Sequence, residues 1–444
     1  MTPEGAVPDP SGFRGREMAM GVGRGGGDLL IREARIVTAP AGTGYRRGRE
    51  MGRLDVWKRA DLLIRNGRIL RMDARIEVPS TVPEIRAEGR VLLPGFVDAH
   101  THACWAGSRL GEWERRLGGA TYPTILREGG GILSTVRAVR ASSEMALAAA
   151  LRVRLGWLLQ EGTTTVEVKS GYGLDTETEL RMLRAIRRAG AAWPGNVVLT
   201  ACLGHAKDPG QPDQVDRTIQ ETLPAVSQEF PGISIDAYCE EGAWSLDDCV
   251  RLFQAARERG HPVRVHADQF TSLGMIPQAL RLGLDSVDHL EASTPEDLRL
   301  LARSGTAGVL LPVSGFHLDD RYADGRALVD GGGAVAVATN WNPGSAPSPS
   351  LPLAAALAVR KCGLTPAEAL TAITANGAVL LRRPERGRIA PGLPADLVLL
   401  RHRDERELLH TMGGAPVLLV VCGGHVVAGP LADTMRQNSP HRKP

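Results

Sequence analysis

Apolar residues follow one rhythm at the two ends of the chain and another in its middle. At the ends, short runs rich in branched apolar residues stand beside turn residues. They are DLLIREARIV (28–37) and DLLIRNGRIL (61–70) near the start, and ADLVLL (395–400) and VLLVVCGGHVVAG (417–429) near the finish. Such runs predict strands. The first two resemble each other, with apolar residues around a polar turn, as neighbouring antiparallel strands do. Strands at both ends with a long mixed region between them predict one small β-domain built from both termini. Two separate β-repeats without contact are the other arrangement.

In the middle, continuous apolar runs recur with helical stretches between them. They are 91–100, 163–170, 196–205, 233–240, 262–268, 285–291, 306–313 and 334–340. Continuous apolar strands alternating with helices indicate a parallel sheet. Eight of them predict an α/β fold, a closed (β/α)₈ TIM-like barrel, with a doubly wound open sheet as the alternative. Helix signals agree. The segment 365–381 opens with Thr365, Pro366 and Glu368, a capping box. The segment 294–305 repeats the Thr-Pro start and ends on Gly305. The predicted organisation is a Gly/Pro-rich, poorly ordered tail over 1–27 and a composite β-sandwich domain over 28–90 and 385–432. A catalytic barrel spans 91–384, and a C-terminal tail 433–444.

Composition narrows the class. The 444 residues carry a net charge of +3 and are 43% hydrophobic, so nothing global points to nucleic acid or an anionic membrane. The short Arg-rich stretch (Arg382, Arg383, Arg386, Arg388) reads as solvated surface. Six cysteines lie scattered without a CxxC pair, which fits reduced thiols in a cytosolic enzyme. No apolar run is long enough to span a bilayer, and the N-terminus has no signal-peptide pattern.

Chemistry gathers at the strand ends, where barrel active sites form. The first barrel run ends in His100-Thr101-His102, and residues two apart on a strand face the same side. The fifth ends in His266, the sixth in Asp288-His289 and the eighth in Asn340. An HxH alone also describes two surface histidines. At the end of a buried strand, with further histidines on strands five and six, it predicts a metal site. Imidazole ligands favour zinc or iron. A catalytic ion keeps a position open for water, which it activates while polarising a carbonyl.

PGFVDAHTHACWAGSR, TTTVEVKSGYGLDTETE, LGHA, CEEGAWS, VHADQFTSLG, VDHLEA and NWNPGSAPSPS, in this order over about 90–430, resemble the imidazolonepropionase family of the amidohydrolase superfamily. EVKSGYGL and NPGS are its specific parts; HTH with PGFVD is shared by the superfamily. The resemblance implies a barrel of the metal-dependent hydrolase type that opens 4-imidazolone-5-propanoate with water to N-formimidoyl-L-glutamate. It implies one divalent ion, zinc or iron, on His100, His102 and His266. It makes Arg109 the clamp for the substrate carboxylate, a task suited to a guanidinium fork. Tyr172 and His205 become substrate contacts, and Asn342, Gly344 and Ser345 the loop that holds substrate or product. His289 becomes the general acid/base, with Gln269 beside it hydrogen-bonding the ring. Outside the resemblance, Arg109 reads as a surface arginine, Tyr172 as a packed loop residue, His289 as a core histidine and Gly344 as a turn. The expected partner is a small-molecule substrate, with no nucleic acid and no membrane, in a cytoplasmic homodimer. Relatives with two metals bridge them by a carboxylated lysine on strand four. Lys169 ends strand two, so a single metal is expected. Glu240 and Glu241 are left to contact water or a ligand's neighbour.

Two positions depart from the family. Asn340 stands where the family has an aspartate that ligates the metal and takes a proton. An amide offers a carbonyl oxygen but is no base at neutral pH. Gln269 stands where glutamate is frequent. Three readings stay open: an active enzyme that relies on His289, a paralogue acting on another cyclic amide or amidine, and a weakly active metal-binding pseudo-enzyme.

Overall fold

The computed structural model describes residues 28–120, 124–125 and 130–432. The tails predicted over 1–27 and 433–444 lie outside the described residues. The N-terminal segment forms β1 (Leu29–Thr38), β2 (Asp55–Arg65), β3 (Arg68–Asp73), β4 (Glu84–Arg86) and β5 (Val91–Pro94). β1 and β2 pair antiparallel, with Leu29 opposite Ile64. The two similar runs use their polar centres differently. In β1, Glu33 takes a φ of 56° beside a register shift, so the strand bulges and continues. In 61–70, Asn66 and Gly67 have φ of 50° and 75° and turn the chain back between β2 and β3. That run is therefore a tight hairpin rather than one strand, because Asn-Gly favours a two-residue turn with both φ positive.

The barrel strands are β6 (Phe96–Asp98), β7 (Thr163–Lys169), β8 (Asn196–Gly204) and β9 (Ser234–Cys239). They continue as β10 (Arg264–Ala267), β11 (Ser286–His289), β12 (Ala307–Leu310) and β13 (Val335–Val337). Each lies parallel to the next in that order. The ring closes past β13. Asn340 N–H donates to the His100 carbonyl (3.0 Å), His102 N–H donates to that of Trp341 (3.0 Å), and Thr101 bridges Trp341 in parallel. The closed (β/α)₈ barrel stands, and the open sheet does not.

The chain returns to the small domain as β14 (Leu397–Leu400), β15 (Val417–Cys422) and β16 (His425–Ala428). β14 pairs antiparallel with β5, joining both termini in one sheet of order β16-β15-β14-β5-β1-β2-β3, with β4 on β1. Alternate residues of the two halves share one apolar core, with Ile31, Leu62 and Ile64 beside Leu397, Leu399 and Leu419. The sheet curls back on itself, with Arg68 at the start of β3 bridging Pro394 just before β14. A Cβ on Gly67 would lie 2.8 Å from the Gly423 carbonyl oxygen, so the two hairpin turns touch only because they carry glycine.

Two boundaries differ from expectation. The run 91–100 is not one barrel strand, because β5 belongs to the small sheet. Gly95 N–H still bonds Asp396 in the small domain, whereas Phe96 N–H bonds Gly162 at the foot of the barrel. The helix expected over 365–381 breaks into Pro366–Ala372 and Ala375–Leu380. At the break, the Thr374 hydroxyl bonds back to the Leu370 carbonyl. Beyond it, the Asn376 amide is drawn to the backbone of Arg46. The capping box of Thr365 with Glu368 forms, and Thr294 caps the helix Pro295–Arg303. The Arg-rich stretch is less idle than expected, since Arg382 grips Asp285 and Arg386 the buried Asp396.

Candidate active site

Strand ends bring three imidazoles to one point. The Nε2 atom of His102 lies 3.3 Å from that of His100 and 3.0 Å from that of His266, all three side chains buried. Burial first, and then neighbouring positive groups, hold His100 and His102 well below the ordinary imidazole range. Burial likewise lowers His266 against the pull of Asp236. Three neutral rings therefore converge through their Nε2 atoms. Ligand atoms around a tetrahedral ion with bonds of ~2.0–2.1 Å stand roughly 3.3–3.4 Å apart, so this donor set fits a metal. Asn340 adds a further sign. Its Nδ2 is 2.8 Å from the Ser314 hydroxyl, while its buried Oδ1 has no partner among the described residues.

Carboxylates from other strands fix two of the rings, one from across the barrel and one from the strand alongside. Asp288 Oδ2 is 2.6 Å from His100 Nδ1, and Asp236 Oδ1 is 3.0 Å from His266 Nδ1. Such partners set the tautomer and leave Nε2 free for a metal. Lys169 ends the second barrel strand and is an ion-paired cation. Its Nζ is 2.9 Å from Glu167 and 2.6 Å from Asp236. At the seam, Asp98 accepts from the Thr339 hydroxyl (2.6 Å), and burial pushes its carboxyl up to about 7.

The other expected residues surround this point. His205 stacks on His102 with centroids 4.5 Å apart, and Tyr172 packs 5.1 Å from His205. His205 Nδ1 lies 3.0 Å from the Gly171 carbonyl, and burial pushes this ring down to about 3. Burial also raises the Tyr172 phenol, which stays protonated. His289 faces His266 at 5.8 Å, with its Nδ1 3.1 and 3.2 Å from the two oxygens of Glu291. Gln269 accepts from the Tyr238 hydroxyl (2.8 Å), whose ring lies 5.9 Å from His266. Arg109 precedes the helix Leu110–Leu117 and pairs with Glu112 at 2.7 Å. Its guanidinium lies on Gly344, where a Cβ would come within 2.3 Å of Nη1. Asn342 is used inside its own loop. Its Oδ1 takes the N–H groups of Gly344 (2.9 Å) and Ser345 (2.8 Å), and its Nδ2 meets the Asn340 carbonyl and the Ser345 hydroxyl.

Glu240 and Glu241 do not join the histidines. Glu240 accepts from Phe270 N–H (2.9 Å) and Thr271 N–H (3.1 Å), bracing the loop that carries Gln269, and Glu241 is exposed. Sequence reasoning missed Asp236, Arg264, Glu179 and Glu291 as supporting groups. Glu179 lies on the helix Thr176–Ala191 and takes the N–H groups of Gly171, Gly173 and Leu174, holding the SGYG loop. The available signal was a charged residue inside an apolar strand, as in SIDAYC or RVHA.

The profile of the Amidohydrolase family matches residues 109–428. An imidazolonepropionase of Herpetosiphon aurantiacus is 41% identical, covering 90% of this chain and 96% of its own. That of Deinococcus radiodurans is 43% identical over 86% and 95%. Among solved structures, 5-methylcytosine deaminase from Klebsiella pneumoniae superposes with a TM-score of 0.68 at 18% identity, covering 90% of this chain and 97% of its own. N-isopropylammelide isopropylaminohydrolase from Burkholderia multivorans gives 0.65 at 20%, over 91% and 98%. These two likenesses concern the fold. The first two, across nearly whole chains, do not favour the paralogue or the pseudo-enzyme.

Proposed function

The chain belongs to the imidazolonepropionase family of amidohydrolases, and from that footing we propose that water, activated at His100, His102 and His266, opens the ring of 4-imidazolone-5-propanoate. The protein is a metal-dependent hydrolase of a cyclic amide, and the product is N-formimidoyl-L-glutamate. The observation that carries the site assignment is the convergence of three buried Nε2 atoms. A single divalent ion, zinc or iron, bound there supplies Lewis acidity for water and the ring carbonyl. The unpartnered Oδ1 of Asn340 supports a neutral fourth contact.

The remaining work falls to side chains. Arg109 takes the propanoate carboxylate on the donors that Glu112 leaves. Tyr172 donates its retained phenol proton to the substrate. His205, with Nδ1–H given to Gly171, presents Nε2 to a ring N–H. Gln269 has its oxygen taken by Tyr238 and offers its NH₂ to the ring. Asn342 braces the loop of Gly344 and Ser345 rather than reaching substrate itself. His289, its Nδ1–H held by Glu291, takes the water proton on Nε2 and returns it to the ring nitrogen as the carbon–nitrogen bond breaks. This is how the site works without the carboxylate that Asn340 replaces. The family resemblance further supports a cytoplasmic homodimer, and the six free cysteines, all buried, accord with a reducing compartment.

The test is direct. Purified protein is assayed for bound zinc or iron and for loss of imidazolonepropanoate absorbance. Metal-loaded protein without turnover would refute the proposal.

A further inference from the structure

The metal-site histidines are not held alike. His102 Nδ1 has no hydrogen-bond partner among the described residues. The Nδ1 atoms of His100 and His266 each meet a carboxylate, and those carboxylates end one unbroken chain of buried ions. Asp288 takes Arg264 Nη2 at 2.6 Å, and Arg264 Nη1 reaches Glu167 Oε1 at 2.6 Å. Lys169 Nζ reaches Glu167 at 2.9 Å and Asp236 at 2.6 Å. All five side chains are at most 1% exposed. Glu167 is the hub, since its Oε1 also accepts from the Thr200 hydroxyl at 2.6 Å. Desolvating five ions is costly, and apolar packing of equal volume is commonly at least as stable. Stability alone therefore does not account for the array. Between Asp288 and Asp236 it connects two metal-site rings on different strands through Arg264, Glu167 and Lys169, which touch neither ring.

We propose that Glu167 and Lys169 are positioning residues for the metal: through Arg264–Asp288 on one side and Asp236 on the other, they lock His100 and His266 as Nδ1–H tautomers with Nε2 lone pairs converging. The proposal rests on reading His100, His102 and His266 as the metal site. Position and charge are separable here. The chain holds three carboxylates and two cations, so losing Lys169 makes it more negative. Simple attraction then tightens a divalent cation, whereas loss of the strut under Asp236 loosens it.

The experiment measures zinc affinity by chelator competition, with apo-protein folding followed by circular dichroism. Lys169→Met is expected to raise the zinc Kd about 10- to 100-fold, the usual effect of removing a ligand's support. A folded Lys169→Met protein that binds zinc as tightly as wild type, or more tightly, overturns the proposal. Should that variant not fold, Thr200→Val decides, because it removes one donor to Glu167 at nearly constant shape. It is expected to raise the Kd about 2- to 10-fold and to move the ¹⁵Nδ1 resonances of apo His100 and His266 but not that of His102. Unchanged affinity and resonances in Thr200→Val overturn the proposal. Wild-type protein that binds zinc no better than His102→Ala refutes the metal-site reading itself, a separate failure.

Discussion

His289 stands on a strained backbone. Its φ is 93° and that of Leu290 is 76°, and neither is glycine. Such conformations cost about 1–3 kcal/mol each and persist where function demands them. The turn sets the ring over Glu291 and opposite His266. Replacing His289 by alanine should lower turnover about 10²- to 10⁴-fold with bound metal unchanged, read by steady-state rates and metal analysis on one sample. Retained turnover would remove the acid/base role. Asn340→Asp should lower the zinc Kd, since a carboxylate would then stand where an unpaired amide oxygen stands, and the Ser314 hydroxyl can donate to its second oxygen. An unchanged Kd would mean that this side chain does not face the ion. At this scale the sequence was informative where chemistry sits at strand ends, as with His100, His102, His266 and His289. It was silent on Asp236 and Asp288 as partners of those rings, because closing the barrel brings side chains together from strands far apart in sequence. His100 and Asp288 are 188 positions apart.

Three loops after barrel strands, proposed above to meet the substrate, are each tied down by one side chain. Glu179 holds the SGYG loop, Glu240 the loop of Gln269, and Asn342 its own turn. Gly344 is the tightest of these fits. Gly344→Ala should push the Arg109 guanidinium aside, since the added carbon meets the mobile tip of that side chain. The expected result is a KM raised about tenfold or more, for a weakened charged hydrogen bond, with kcat and melting temperature little changed. A normal KM would show that Arg109 does not hold the carboxylate. Elements were legible where periodicity was regular, and eight strand runs led to eight barrel strands. Breaks within them were less so. Asn66-Gly67 carries an ordinary hairpin signal, but it is embedded in an apolar run that also reads as one strand. The kink at Thr374 comes from a hydroxyl bond and from Asn376 pulled toward Arg46, a partner 330 residues earlier.

For the molecule as a whole, four neutral histidines packed around one point make the metal-free fold sensitive to acid. Burial lowers His100, His102, His266 and His205 below the 6.5 of an exposed imidazole. The folded state thus binds fewer protons than the unfolded chain once pH falls below that value. The stability these groups contribute is complete above pH ~6.5 and is lost as pH drops toward their folded values, at up to about 1.4 kcal/mol per pH unit for each. The melting temperature of chelator-treated protein should be level near pH 7 and fall steadily below pH ~6.5. A level curve down to pH 5 would contradict this. At pH 7, stripping the metal should itself lower the melting temperature, because the ion binds only the folded state. The difference is about 2.7 kcal/mol at a hundredfold excess over Kd.

The pairing of β5 with β14 also imposes an order in time. Leu93 meets Val398 across about 300 intervening residues. A ribosome adding ~5–20 residues per second needs roughly 15–60 s to make that stretch. Through that interval the N-terminal half of the small sheet waits with an unpaired edge at β5, one residue from the barrel's first strand. An open edge invites strands from other chains. A nascent chain cut off just beyond β13 would carry every metal-site histidine and still expose that edge, so the strands from β14 to β16 act as the seal that covers it in the finished protein.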